Sequence, residues 1–215
     1  MIKSVIFDLD GTLLDTSEGV ISSVKKMIEH MGYEIPDQEV LESFIGPPIN
    51  KNLERLYDIS PEDAMDAMNY FRSEYPKGDI FKAEHYDGMS ELLATLKEKG
   101  FKVGVATYKR EDMAKTLLDK KGLAKYFDVI HGSNVASDMT KADIVNLTIR
   151  DLGAAPSETL MIGDSDNDAI GADEAGAQFL GVTYGFGFKG VEDVLKYKNI
   201  GVAATTYEVM DIICK

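Results

Sequence analysis

The sequence predicts an α/β fold, a mostly parallel sheet flanked by helices, with a small all-α segment inserted after the first strand. Three observations predict it. An apolar strand at residues 3–7 runs straight into an acidic turn. Residues 17 to 84 carry only helical periodicity. From Tyr86 onward helix and strand patterns alternate, the rhythm of βαβ units. The first strand finds candidate partners only after residue 100, so the helical stretch hangs between it and the rest. The expected division is an α/β core of residues 1–15 and 85–215 and a helical cap of residues 16–84.

Each element follows from its spacing. Val20, Ile21, Val24, Met27, Ile28 and Met31 predict a long amphipathic helix that stops near Gly32. Val40, Leu41, Phe44 and Ile45 predict a second, broken by Gly46-Pro47-Pro48, and Ile49, Leu53, Leu56 and Tyr57 a third. The fourth opens with Ser60 as N-cap and Pro61 in the first turn, carries Ala64, Met65, Met68, Phe71 and Tyr75, and closes at Pro76-Lys77-Gly78. Leu92, Leu93 and Leu96 mark a helix ended by Gly100, and residues 101–107 a buried strand. A helix around Met113, Leu117 and Leu118 precedes a strand at 127–131. One carrying Ile144, Val145, Leu147 and Thr148 precedes a strand at 159–163, and a further helix leads to a strand at 179–184.

Composition narrows the class. The chain has 215 residues, 44% hydrophobic and 28% charged, with a net charge of −14. Such a field repels phosphate backbones and anionic lipid, so neither a nucleic acid nor a membrane is expected as a partner. A phosphate-handling site would need a local positive region against that field. No signal peptide is expected, since only four residues separate Lys3 from Asp8, and no apolar run reaches about 18 residues. The lone Cys214 has no internal disulfide partner. A cytoplasmic protein, monomer or homodimer, is expected.

The stretch from Val5 to Asp15 reads VIFDLDGTLLD. Strand alternation points Asp8 and Asp10 the same way and Leu9 away. Two such charges raise one another's pKa unless a cation sits between them, and a hard divalent ion, Mg²⁺, suits oxygen ligands. A metal beside a free carboxylate suits attack on an anionic centre such as phosphorus. Helix capping would explain one aspartate, not two. Two more predicted strands end in polar residues, at Thr107 and at Gly163-Asp164-Ser165-Asp166-Asn167-Asp168, and Lys141 opens a helix between them. Singly these read as a strand end, a helix N-cap and a surface lysine. Jointly they supply a nucleophile, a metal site, a hydroxyl and a cation at the carboxyl edge, where open α/β sheets bind ligands.

With these residues in this order, the sequence resembles the haloacid dehalogenase-like hydrolase superfamily over nearly its whole length. The likeness is to the phosphoglycolate phosphatase-like branch with a helical cap after the first strand. That resemblance implies a Rossmann-like three-layer sandwich. It also implies a Mg²⁺-dependent phosphatase acting on a small phosphorylated metabolite: a phosphoglycolate-like ester, a nucleotide or a sugar phosphate. By similarity, Asp8 takes the phosphoryl group, and Asp10 is the acid for the leaving oxygen and then the base for water. Thr107 and Lys141 hold the phosphate. Asp8, the main-chain carbonyl of Asp10 and Asp164 hold the metal, with Asp168 in support. Backbone groups at Gly11 and near Tyr108 add phosphate donors. The turn at Pro47 and the cap cation Arg72 are expected to meet the leaving group. Tyr108 stands where this branch often has asparagine, and Ala142 where proline is common.

Other readings carry less weight. Residues 185–190, GFGFKG, satisfy GxGxxG, yet only 25 residues follow, too few for a dinucleotide unit. Asp164, Asp166 and Asp168 imitate a calcium loop, but Ala169 and Ala175 stand where its glycine and glutamate belong. A non-enzymatic phospho-acceptor signalling domain would share the acidic site, threonine and lysine; the helical insertion and Asp10 argue against it. Dehalogenases of this fold lack the second aspartate, and Lys25 and Lys26 lack the surroundings of a phosphonatase lysine. A sugar-phosphate mutase would carry a histidine near Val20. His30, His85 and His131 read as structural.

Overall fold

A computed structural model describes residues 1–214. In chain order the elements are β1 (Ser4–Phe7), β2 (Leu14–Asp15), α1 (Ser17–His30), α2 (Gln38–Glu42), α3 (Ile49–Tyr57), α4 (Pro61–Glu74), β3 (Glu84–His85), α5 (Met89–Glu98) and β4 (Lys102–Arg110). There follow α6 (Glu111–Lys120), β5 (Val129–Ser133), α7 (Lys141–Asp151), β6 (Thr159–Gly163), α8 (Asp166–Glu174), β7 (Gln178–Val182), α9 (Val191–Val194), β8 (Gly201–Ala203) and α10 (Thr206–Cys214). The sheet has six strands in the order β5-β4-β1-β6-β7-β8, every neighbouring pair parallel.

Side-chain alternation explains the layering. In β1, Val5 and Phe7 pack with Leu93 and Leu96 of α5, Leu117 of α6 and Val209 of α10, while Ile6 packs with Ile144 of α7, Ala172 of α8 and Val194 of α9. Both faces of the central strand are therefore covered, which is why it reads as a continuous apolar run. Full burial of one such side chain is worth about 1.5–3 kcal/mol. The result is the three-layer α/β sandwich.

Several boundaries differ from the sequence expectation. The second helix ends at Glu42, leaving Phe44 and Ile45 buried in the turn that follows. The segment expected to be wholly helical is bounded by a two-stranded antiparallel ribbon, β2 with β3. Such short pairings leave no periodic signal. β4 runs three residues beyond Thr107, through a register shift against β5 between Thr107 and Arg110. β7 stops at Val182, not at residue 184. The three-residue β8 and the closing α10 have no counterpart in the sequence reading.

The helical segment has a polar knot at its base. The buried Asp79 carboxylate accepts from Ser23 Oγ at 2.8 Å and Lys26 Nζ at 2.7 Å, and pairs with Lys82 Nζ at 2.9 Å. Burial alone would raise its pKa, but the lysine and serine hydrogen bonds outweigh it and hold the group below the usual carboxylate range. Gly19 is needed beside it, since a Cβ there would lie 2.0 Å from the Asp79 carbonyl oxygen. Asp79→Asn is expected to cost about 1–2 kcal/mol in urea unfolding at pH 7, because both lysines are half exposed and screened. A depressed folded-state pKa contributes stability above the unfolded value of about 4, lost as pH falls through and below it. The difference between wild type and variant should therefore be constant from pH 7 to 5 and shrink below about pH 4. A gap that widens in acid would contradict this.

Candidate active site

The acidic turn does not continue β1. The strand stops at Phe7, and the amides of Thr12, Leu13 and Leu14 all converge on the Leu9 carbonyl, while Gly11 N–H donates to Leu14 O. Asp8 and Asp10 therefore flank Leu9 just beyond the strand, and Leu9 packs in the core layer of Val5 and Phe7. Their carboxylates go to different cations: Asp8 Oδ1 lies 2.9 Å from Lys141 Nζ, and Asp10 Oδ1 lies 2.9 Å from Lys109 Nζ.

Asp8 joins Asp164 and Asp168 instead. These three buried residues bring one carboxylate oxygen each within 4.8 Å of one another. Lys141 Nζ lies 2.8 Å from Asp168 Oδ1 and donates to Ala106 O at 3.1 Å. Neither Asp8 Oδ1 nor Asp168 Oδ1 meets a donor in sound hydrogen-bond geometry, so the single lysine acts on both chiefly as a charge. The outer oxygens are anchored. Asp168 Oδ2 accepts from Ser165 N–H and Oγ in a capping box at the start of α8. Asp164 Oδ2 accepts from the amides of Phe186 at 2.7 Å and Gly187 at 3.0 Å.

The charge balance of this cluster is incomplete. Burial pushes the Asp8 carboxyl up to about 7, opposed by Lys141 and reinforced by Asp168 and Asp164. Burial, then Asp168, push Asp164 up likewise. Burial would lower Lys141, but the Asp168 and Asp8 carboxylates hold it above its ordinary value. One ammonium faces three buried carboxylates, and a buried charge lacking a partner is costly. An all-oxygen donor set with orphaned lone pairs fits a hard divalent cation.

Glycines let the chain close around Asp164. Gly11 has φ +82°, and a Cβ there would lie 2.3 Å from Asp164 Oδ2. A Cβ on Gly185 would lie 2.3 Å from Gly11 O, and one on Gly187 2.5 Å from Asp164 O. The GFGFKG stretch thus works as a wrap whose amides hold a carboxylate.

The second half of the site rises from the end of β4. Thr107 is buried, and its Oγ1 accepts from Lys109 N–H at 3.2 Å. The Tyr108 hydroxyl accepts from Lys141 N–H at 3.0 Å, and its ring lies 5.2 Å from Lys141 Nζ, so the tyrosine seats the first turn of α7. Ala142 is buried where α7 meets α8. Asp10 Oδ1 also accepts from Thr16 Oγ1 at 2.6 Å. Asp10 opens onto a cavity between the helical segment and the sheet, walled by Phe44, Pro47, Ile49, Phe71, Tyr75 and Met113 and bordered by Val20, Arg72, Tyr108, Lys109 and Arg110. Pro47 is part of this wall. Arg72 is also at the wall, but its guanidinium is engaged: it donates to Val135 O at 2.7 Å and to Ser137 Oγ, in the loop after β5. Its donors bridge α4 to the sheet layer and are not directed into the cavity as free cation. Lys109 was missed by the sequence reading, which ended the strand at Thr107. β4 continues past Thr107 through the register shift and brings the Lys109 ammonium to Asp10.

The histidines lie away from this cavity's wall. His30 stacks on Tyr70 with ring centroids 3.9 Å apart, His85 Nε2 meets Lys121 O, and His131 sits between Glu111 and Asp151.

Comparison with known proteins gives the family to which the chain is similar. The model of the haloacid dehalogenase-like hydrolase family matches residues 5–182. The 5'-nucleotidase of Pseudomonas aeruginosa is 34% identical over 185 residues, which is 86% of this chain and 84% of that protein. The tyrosine-protein kinase PtkA of Mycobacterium tuberculosis is 31% identical over 210 residues, 97% of this chain and 72% of that one. The crystal structure of "a predicted phosphatase from Clostridium acetobutylicum" superposes with a TM-score of 0.94 at 33% identity, covering 100% of this chain and 99% of the other.

Two outcomes are expected from this geometry. Gly11→Ala adds a methyl group into Asp164 and forces an L-residue to positive φ, so it should destabilise by more than about 1 kcal/mol in thermal melts and weaken divalent-ion binding in titration calorimetry. Wild-type behaviour on both counts would contradict the wrap. Arg72→Ala should lower kcat/KM for phosphate esters with charged and with neutral tails by the same factor, since the guanidinium is spent on Val135 and Ser137. A loss confined to charged-tailed esters would show that it reaches the ligand instead.

Proposed function

The chain belongs to the haloacid dehalogenase-like hydrolase family as one of its phosphatases, and we propose that it hydrolyses small phosphomonoesters with Mg²⁺ through an aspartyl-phosphate on Asp8. The observation that carries this reading is Asp8 itself. It is a buried carboxylate with an orphaned oxygen, beside a buried lysine, at the carboxyl edge of the central strand. Asp10 stands two residues on, at the cavity.

In the proposed reaction an Asp8 oxygen attacks phosphorus, the bond from phosphorus to the ester oxygen breaks, and Asp10 delivers a proton to that leaving oxygen. Water then attacks the phosphorus of the aspartyl-phosphate, the bond to Asp8 breaks, and the water's proton passes to Asp10. Splitting hydrolysis in two replaces one difficult displacement by two easier ones. Thr107 and Lys141 hold the transferring group, and Lys141 answers the charge spread over its oxygens. When bound, Mg²⁺ held by Asp8, Asp164 and the main chain of Asp10, with Asp168 in support, would offset the charge of both reactants. Tyr108 acts through Lys141, and the backbone at Gly11 offers a further donor.

Residues 16–84 are proposed as a cap over the core of residues 1–15 and 85–215. The chain passes between them twice, through β2 and β3, and the cavity takes its walls from both sides. The largely apolar wall favours a small phosphorylated metabolite, and the acidic chain with one cysteine suits the cytoplasm. Val20, where a mutase would need a titratable group, presents only carbon to the cavity.

Asp8→Asn should abolish turnover of a generic aryl phosphate while leaving the melting curve intact. Asp10→Asn should stop turnover or trap phosphate on the protein. Chelation should remove activity and Mg²⁺ restore it, whereas Ca²⁺, with its looser shell, should restore it poorly. Independently of turnover, Mg²⁺ at a hundred times its Kd should stabilise the fold by about 2.7 kcal/mol, a gain that Asp164→Asn loses. Full activity in metal-free buffer, or in Asp8→Asn, would refute the reading.

A further inference from the structure

We propose that Lys109 is a positioning residue for Asp10, and that Tyr75, from the far side of the cavity, completes the support. This deepens the reading above and rests on it. The Lys109 side chain is 7% exposed, its ammonium 2.9 Å from Asp10 Oδ1. Thr16 Oγ1 donates to the same oxygen at 2.6 Å. Among the described residues no donor reaches Asp10 Oδ2, and Asp10 borders the cavity. One oxygen is clamped and the other is left to exchange protons. That is the arrangement an acid–base carboxylate needs, because efficiency depends on holding the transferring atom within hydrogen-bond reach of the ester oxygen.

Lys109 is itself held from two sides. Its N–H donates to Thr107 Oγ1, which fixes the end of β4. Its ammonium donates to the Tyr75 hydroxyl at 3.4 Å and lies 5.0 Å from that ring's centroid. Tyr75 closes α4, is 1% exposed and stacks on Phe71. A contact made by the helical segment therefore reaches Asp10 through one lysine. A displaced Tyr75 would leave Lys109 without its hydroxyl and cation–π partner, so Asp10 is held best when the two layers are together. A buried lysine serving only charge balance would not need this aromatic partner.

The distinction lies in the leaving group. An alkyl phosphate needs a proton on its departing oxygen, whereas p-nitrophenyl phosphate releases a stable nitrophenolate without one. Both esters then share the hydrolysis of the aspartyl-phosphate, which needs Asp10 as base. Lys109→Met and Tyr75→Phe are therefore compared with the unaltered enzyme on both esters, with Mg²⁺. In Lys109→Met, kcat/KM for the alkyl ester should fall at least about tenfold, a part of the roughly 10²–10⁴ that general acid–base catalysis supplies, because Asp10 itself is kept. For the nitrophenyl ester it should stay within about threefold. Its kcat should fall, and rapid mixing should show a burst of nitrophenolate approaching one per enzyme as the second step becomes limiting. Tyr75→Phe, which removes a single hydroxyl and serves if Lys109→Met does not fold, should show the same selectivity on a smaller scale. Equal losses of kcat/KM on both esters, or a change in KM alone, would overturn the positioning role and leave the phosphatase reading standing. No turnover of either ester by the unaltered enzyme would overturn both.

Discussion

Three buried carboxylates held against one buried ammonium are the constraint around which this molecule is arranged. Asp8, Asp164 and Asp168 come from the ends of two neighbouring strands and the first turn of a helix, and Lys141 reaches them from the start of α7. Removing such groups from water costs several kcal/mol per ion unless each finds a partner. The surroundings supply partners one oxygen at a time: a capping box for Asp168, two backbone amides for Asp164, a lysine for Asp8. Glycines at 11, 185 and 187 exist because the chain must pass within a bond or two of Asp164. Lys141 is the one cation among three carboxylates, and a divalent ion would supply the charge that is still missing.

Against a net charge of −14, the site sets two buried lysines among four buried carboxylates. Lys141 and Lys109, both nearly buried, stand at the carboxyl edge of the sheet, where their fields are least screened. Burial alone would lower their pKa values, yet Asp168 and Asp8 hold Lys141 charged, and Asp10 and Tyr75 do so for Lys109. The acidic groups elsewhere are spread over solvated faces, many in short-range pairs with surface lysines. Local charge and global charge are decided by different residues.

The helical segment meets the sheet layer through contacts of different character. Arg72 ties α4 to the loop after β5 by hydrogen bonds to Val135 and Ser137, and Tyr75 meets Lys109 by a hydroxyl and an aromatic face. The covalent connections pass through the short ribbon of β2 and β3, beside Asp10 and Thr16. A displacement of the helices would reach Asp10 through Tyr75 and Lys109.

Much was legible in the sequence because it depends on local periodicity and on chemistry that tolerates few residue types. The strands at 3–7 and 159–163, the helical insertion, and the set of Asp8, Thr107, Lys141, Asp164 and Asp168 at one sheet edge follow from alternation, helical spacing and the carboxyl-edge rule. Elements too short to repeat a period, such as β2, β3 and β8, left no such trace. The turn after Phe7 has no periodic signal: three amides converge on Leu9 O, and Asp8 and Asp10 take different cations. Arg72 looked free because its partners lie more than 60 residues away in the chain. Lys109 went unseen because only pairing with β5 carries β4 past Thr107. The sequence by itself determined which chemical groups are present and which edge gathers them, since period and residue type are local properties. Only the tertiary structure decided which carboxylate meets which cation, since that depends on distances between segments remote along the chain.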